Sequence, residues 1–142
     1  MPERPLSPDE IVGVLDACVL VRVAFVADPA PYVVTFGYVH LDGHLVGTMG
    51  PGHKLELAQD SPMVGFQLDT STNGHIYEWR SVHGVGRFSC KAVDPVATAA
   101  IRQRFPNPPA WFIEDRMADL SAGTSLTWRI DPTQLHGRRD GP

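Results

Sequence analysis

This chain of 142 residues lacks most of the features that announce a function. It has only two cysteines, Cys18 and Cys90, each set in an apolar pattern without partner spacing. That argues against a disulfide framework or a cysteine-based zinc site, and for two buried free thiols. No apolar run reaches the roughly 18 residues of a membrane-spanning helix, and Met1–Glu10 has no signal-peptide core. The expectation is a cytoplasmic protein with no membrane partner. There is no excess of positive charge either: the formal net charge is −4, so nucleic acid is not an expected partner. HExxH, CxxC and GxSxG patterns are all missing, which removes the usual signatures of zinc and serine hydrolases. No repeat or low-complexity segment appears. A length of this order suits one domain, read here with its core at 7–132 and loose ends at 1–6 and 133–142.

What is present is strand-rich. "SPDEIVGVLDAC" carries a helix start, with Ser7 as N-cap, Pro8 at the first helical position and Glu10 three residues after the cap. "VLVRVAFVAD" and "PYVVTFGYVHL" are rich in β-branched and aromatic residues and read as two paired strands. Asp42-Gly43 is a hairpin signal leading into a third strand. A short helix is expected near Lys54–Gln59, then a strand at "MVGFQLD". The longest strand candidate runs from about Ile76 to Val93, with Trp79, Ser81, His83 and Val85 on one face. Gly84 and Gly86, on the other face, mark a bulge or bend. Helices at "DPVATAAIRQRF" and "AWFIEDRMADL" and a last strand at "TSLTWRID" complete the set. About six strands joined mostly by hairpins fit a mainly β fold, a small antiparallel barrel with flanking helices.

The most suggestive local stretch is "GTMGPGHKLELAQD", Gly47 to Asp60. It is not a nucleotide triphosphate loop, because His53 precedes Lys54 and Leu55 replaces the hydroxyl residue that would hold magnesium. A lysine in the first turn of a helix opposes the macrodipole at a cost of a few tenths to about 1 kcal/mol. Bound phosphate would remove that conflict, since glycines and free helical N–H groups make an anion site. An exposed loop with a solvated lysine is the simpler reading, and spacing alone does not decide between them. Among the histidines, His40 and His44 flank the Asp42-Gly43 turn without a third ligand, and His75, His83 and His136 are scattered, so no metal site is expected. Ser81 lies inside a strand, a poor place for a nucleophile, and Glu114 and Asp115 read as a solvated helix face. With no side-chain catalytic machinery in view, an enzyme built on this chain would rely on a cofactor.

Taken in order, "PYVVTFGYVHLDGHL", "GPGHKLELAQDSPMVGFQLD", "YEWRSVHGVGRF" and "TWRIDP" resemble the pyridoxamine 5′-phosphate oxidase-like flavin-binding split barrels, in the branch of the nitroimidazole-resistance proteins. The resemblance implies a six-stranded antiparallel split β-barrel that forms a homodimer with cofactor sites at the subunit interface. FMN is the cofactor it implies first; relatives also bind a deazaflavin or haem. By likeness, the phosphate would meet Gly50, His53 and Lys54, and the ring would lie along Val34, Thr35, Phe36 and Gly37 and near Thr48 and Met49. Trp79, Arg80, Ser81 and Val82 match the family's W-x-SV stretch, and Trp111 is a candidate ring cover from the partner subunit. Close relatives carry an aromatic-His pair where this chain has Gly47-Thr48, and many have proline where Thr35 stands. The oxidase's substrate-binding C-terminal segment has no counterpart beyond the weak "HGRRDGP", so oxidation of a B6 vitamer is not implied. Two readings follow: an oxidoreductase passing electrons from a reduced nicotinamide to a small substrate, or a binding module for a flavin, deazaflavin or haem.

Overall fold

In α1 (Pro8–Ala17) the start is set by side chains. The Ser7 hydroxyl accepts from the Glu10 amide at 3.2 Å, and the Glu10 carboxylate accepts from the Ser7 amide at 3.0 Å, a complete capping box. The helix buries Val14 and Leu15 against the sheet. This is a computed structural model, and it describes residues 4–71, 76–121 and 125–141, with backbone alone at 116–121. The other elements are β1 (Arg4–Pro5), β2 (Leu20–Phe25), β3 (Tyr32–Gly37), β4 (Val39–Leu41), β5 (His44–Met49), α2 (His53–Asp60), β6 (Met63–Asp69), β7 (Trp79–Ala92), α3 (Pro95–Arg104), α4 (Ala110–Ser121) and β8 (Leu126–Asp140). Alternation governs β2 and β7: Val21, Val23 and Phe25 of β2 point inward, as do Val82, Gly84, Gly86 and Phe88 of β7. Asp42 and Gly43 both have positive φ, 50° and 83°, the type I′ geometry that matches the twist of a tight hairpin.

All pairings are antiparallel, in the order β3-β2-β6-β7-β8-β5-β4, with β1 added on β8. The two ends of this path, β3 and β4, are consecutive in the chain and separated only by Tyr38. The sheet therefore curls back on itself as a split barrel. Tyr38 makes the corner: its amide donates to the Val19 carbonyl at 3.1 Å, and its buried hydroxyl donates to the Leu15 carbonyl at 2.6 Å. This corner is why the path has seven strands rather than the six expected. "PYVVTFGYVHL" is two strands, one paired with β2 and the other with β5.

The ends also differ from expectation. Residues 133–140 are not a loose tail but the second half of β8, in register with β7 from Gly137 opposite Val82 to Asp140 opposite Trp79. Arg4–Pro5 pairs with Arg138–Arg139. The apolar pattern hid this half of β8, because of its inward positions Leu135, Gly137 and Arg139 only Leu135 is a large apolar residue. Leu6 and Ile11 pack where a Gly137 side chain would be, and Arg139 meets Glu10 at 3.6 Å. Pro132 is tolerated because the register shifts between Val85 and Gly86, where the Thr133 hydroxyl donates to the Val85 carbonyl.

Inside the barrel, Trp128 is fully buried and packs on Phe36 (ring centroids 4.9 Å) and Phe88 (5.8 Å, stacked), with Phe25 edge-on to Phe88. The long β7–β8 ribbon needs glycine where backbones close in. A Cβ on Gly84 would overlap the Gln134 carbonyl oxygen and come within 2.7 Å of the Phe66 ring. Gly84→Ala should therefore cost about 3 kcal/mol or more in chemical denaturation. A change below about 0.5 kcal/mol, the range of an ordinary surface substitution, would show that the ribbon relaxes freely. By contrast α4 leaves Trp111 64% and Ile113 47% exposed.

Candidate functional site

The turn after β5 ends in Gly52, with φ 154°, and α2 begins at His53. No side chain caps this helix. The Gly52 carbonyl accepts from the amides of Leu55 at 3.1 Å and Glu56 at 3.4 Å, which leaves the His53 and Lys54 amides as open first-turn donors. A Cβ on Gly52 would touch nothing within 4 Å, so the turn faces open space. Lys54 is half-buried, with Nζ 5.2 Å from the centroid of the buried Phe36 ring, and no carboxylate pairs with it among the described residues. His53 packs edge-on against Tyr32 at 5.2 Å and lies 3.7 Å from Glu56. Two open amides, a cap without a side chain and an uncommitted lysine fit a monophosphate.

A second group lies on the outer face of the sheet. Register sets Thr35 opposite Arg22, Arg22 opposite Gln67, and Ser81 opposite Asp69. Arg22 donates to Gln67 at 3.2 Å and to Asp69 at 3.3 Å; Gln67 Nε2 donates to Asp69 at 3.0 Å and to the Ser81 hydroxyl at 3.1 Å. Trp79 and Ser71 complete a small cleft of about 260 Å³ around Gln67, Asp69 and Ser81. Burial is the largest single influence on Asp69 and pushes its carboxyl up. Hydrogen bonds from Ser71 and Gln67, with the Arg22 charge, outweigh it and hold the group below the ordinary carboxylate value. A depressed folded pKa stabilises above the unfolded pKa and is lost as pH falls through the folded one. Stability should thus decline as Asp69 protonates below about pH 4. Asp69→Asn should flatten that part of the acid limb in denaturation curves; an identical limb would dismiss Asp69 as its source.

The remaining predicted residues divide between these groups and the core. Phe36, His53 and Lys54 come together, with Gly50 in the adjoining turn. Val34 is half-buried on β3, and Thr35 and Gly37 face outward beside it. Ser81 shares that outer face, but three strand steps separate β3 from β7, about 14 Å. Thr48 is half-buried opposite Thr127, while Met49 and Val82 point into the core and can offer a ligand only their backbone. Arg80 turns to the other face, 3.7 Å from Glu10. Trp111 stands apart on α4. Of the histidines, His40 pairs with Asp16 at 2.7 Å, and His75 lies outside the described residues. Both cysteines are free; burial pushes the Cys90 thiol up to about 11 and raises Cys18 as well. Sequence reasoning missed Arg22, Gln67 and Asp69. Their outward alternation in "LVRVAF" and "MVGFQLD" was the available signal.

A family model described as pyridoxamine 5′-phosphate oxidase matches residues 7–139. The chain belongs to that family. Like it, an FAD-binding protein of Mesorhizobium loti is 31% identical, with a TM-score of 0.72 over 99% of this chain and 100% of that one. A candidate 5-nitroimidazole antibiotic resistance protein of Bacteroides thetaiotaomicron shares the pyridoxamine 5′-phosphate oxidase fold at 15% identity, with a TM-score of 0.75 over 98% and 89% of the two chains. An uncharacterized protein of Rhizobium meliloti (strain 1021) is 32% identical over 85 residues, 60% of this chain. The match spans 55% of that relative's length. No described helix is long and apolar enough to cross a membrane.

Proposed function

We propose that the protein is a flavin-dependent oxidoreductase, with the open N-terminus of α2 and Lys54 as its phosphate anchor. The observation that carries this reading is the uncapped first turn. Among the described residues the His53 and Lys54 amides have no acceptor, and the Lys54 ammonium, held over the Phe36 ring, has no carboxylate partner. When bound, a flavin supplies hydride and electron chemistry that no side chain here provides. The chain's own part is binding and orientation. Among the described strands β3 ends the hydrogen-bonded path, so the backbone along Val34–Gly37 has one edge without a strand partner there, where a heteroaromatic ring can lie. Phe36 supports the Lys54 ammonium, and the partner subunit of a homodimer would bring Ser81 and an aromatic cover such as Trp111 to the same site. The exposure of Trp111 and Ile113 on α4 supports that arrangement.

FMN is the first candidate. The FAD-binding relative at 31% identity favours FAD as the second, since both carry a phosphate at the same place on the ribityl chain. Mass spectrometry of the released cofactor separates them. Bleaching of the bound flavin by a reduced nicotinamide under anaerobic conditions tests the enzyme. A flavin that binds and never bleaches with any nicotinamide would make the protein a binding module. Light scattering tests the dimer, and a strict monomer would contradict the shared site.

A further inference from the structure

The network on the outer face of the sheet leaves one of its groups with a hydrogen to give. The Gln67 amide is fixed from both ends: its Oε1 accepts from Arg22 at 3.2 Å, and its Nε2 donates to Asp69 at 3.0 Å. Turned over, it would set donor against donor and acceptor against acceptor. Asp69 cannot yield, because its two oxygens also receive Arg22 and both the amide and the hydroxyl of Ser71. The second Nε2 hydrogen therefore goes to the Ser81 oxygen, at 3.1 Å. A hydroxyl that accepts from an amide keeps its own hydrogen for another partner, and Ser81 has no acceptor among the described residues.

Ser81 lines the cleft of about 260 Å³, where the Trp79 ring supplies an aromatic wall. The charges around it are committed. Arg22 and Asp69 form an ion pair at 3.3 Å, and Arg138, opposite Ser81 on β8, is engaged as well. The described lining thus offers a neutral donor beside an aromatic ring. That suits an uncharged oxygen better than a phosphate, which draws its strongest bonds from charged donors.

We propose that Gln67 is a positioning residue that holds Ser81 as a hydrogen-bond donor to an uncharged oxygen of the flavin, either a ribityl hydroxyl or a ring carbonyl. Asp69 and Arg22 serve it by pinning the amide. This role rests on the flavin reading and its homodimer, since the flavin that meets Ser81 is the one anchored on the second copy of the chain. Labour is then divided: Lys54 and the first turn of α2 take the phosphate, and Ser81 takes part of the flavin that carries no charge.

The test titrates apoprotein with FMN, riboflavin and lumiflavin, read by flavin fluorescence. Ser81→Ala should weaken FMN and riboflavin by the same factor, about twofold to tenfold, the worth of one neutral hydrogen bond. Lys54→Ala should weaken FMN alone, because riboflavin has no phosphate. Lumiflavin lacks the ribityl chain and tells the two oxygens apart: a loss retained there places Ser81 on a ring carbonyl, and a loss absent there places it on the ribityl chain. Gln67→Met should lose as much as Ser81→Ala, and the double variant no more than either, because both remove the same bond. Ser81→Thr keeps the hydroxyl and should bind like the parent. Losses that multiply in the double variant would make Gln67 an ordinary structural residue and overturn the proposal. So would a Ser81→Ala loss confined to FMN, unchanged affinity in Ser81→Ala, or a parent that binds FMN and not riboflavin. A parent that takes up neither FMN nor riboflavin overturns the flavin reading itself, a result distinct from these, in which the parent still binds.

Discussion

Lys54→Ala is expected to weaken FMN binding by about tenfold to a hundredfold, or about 1.5–3 kcal/mol, the worth of one charge-assisted contact. The protein should stay folded. The lysine contributes to the apo state mainly through its place over the Phe36 ring, and a partly exposed cation–π contact is worth about 0.5–1 kcal/mol. Lys54→Arg keeps the charge and should retain most of the affinity. The loss in Lys54→Ala should also shrink as salt rises, because part of it is electrostatic. Equilibrium titration of apoprotein with FMN, read by flavin fluorescence at two ionic strengths, measures all three. Equal affinity in parent and Lys54→Ala would remove the lysine from the anchor and leave only the helix amides.

The largest stability effect should come from Trp128→Ala, about 3–5 kcal/mol by chemical denaturation. Against a total of about 5–15 kcal/mol for a domain, that approaches unfolding. Trp128 is fully buried and touches both Phe36 and Phe88, and Gly47 on β5 exists to admit it: a Cβ there would lie 2.6 Å from the indole. Its indole N–H has no partner among the described residues, so Trp128→Phe gives up volume but no hydrogen bond and should cost clearly less than alanine. The effect should reach the anchor too. Phe36 packs on Trp128 and carries Lys54, so Trp128→Ala should weaken flavin binding even where it remains folded. A cost below about 1 kcal/mol, what Ile→Val alone can exact, would mean the barrel interior refills without penalty.

Much of the fold was legible because each element obeys a local rule. Ser7 and Glu10 announce α1, Asp42-Gly43 announces the β4–β5 hairpin, and Gly84 and Gly86 announce the irregularity in β7. The failures lie where long-range packing overrides pattern. β8 past Pro132 is held by backbone pairing to β7 and by Arg139 meeting Glu10, neither of which leaves an apolar stripe to read. Tyr38 ends one strand and begins another only because the sheet closes there. The site was legible in proportion to its locality. Gly52, His53 and Lys54 are contiguous, and their helical context follows from their own sequence. The Arg22–Gln67–Asp69–Ser81 network joins three strands and becomes visible only in their register.

The central claim is that the open first turn of α2 anchors a flavin phosphate. The visible absorbance spectrum of the purified protein, before and after addition of FMN or FAD, tests it most directly. The account predicts flavin bands that survive gel filtration in the parent and are diminished in Lys54→Ala. A parent protein that takes up neither flavin, or one whose Soret band shows haem in that place, would contradict it.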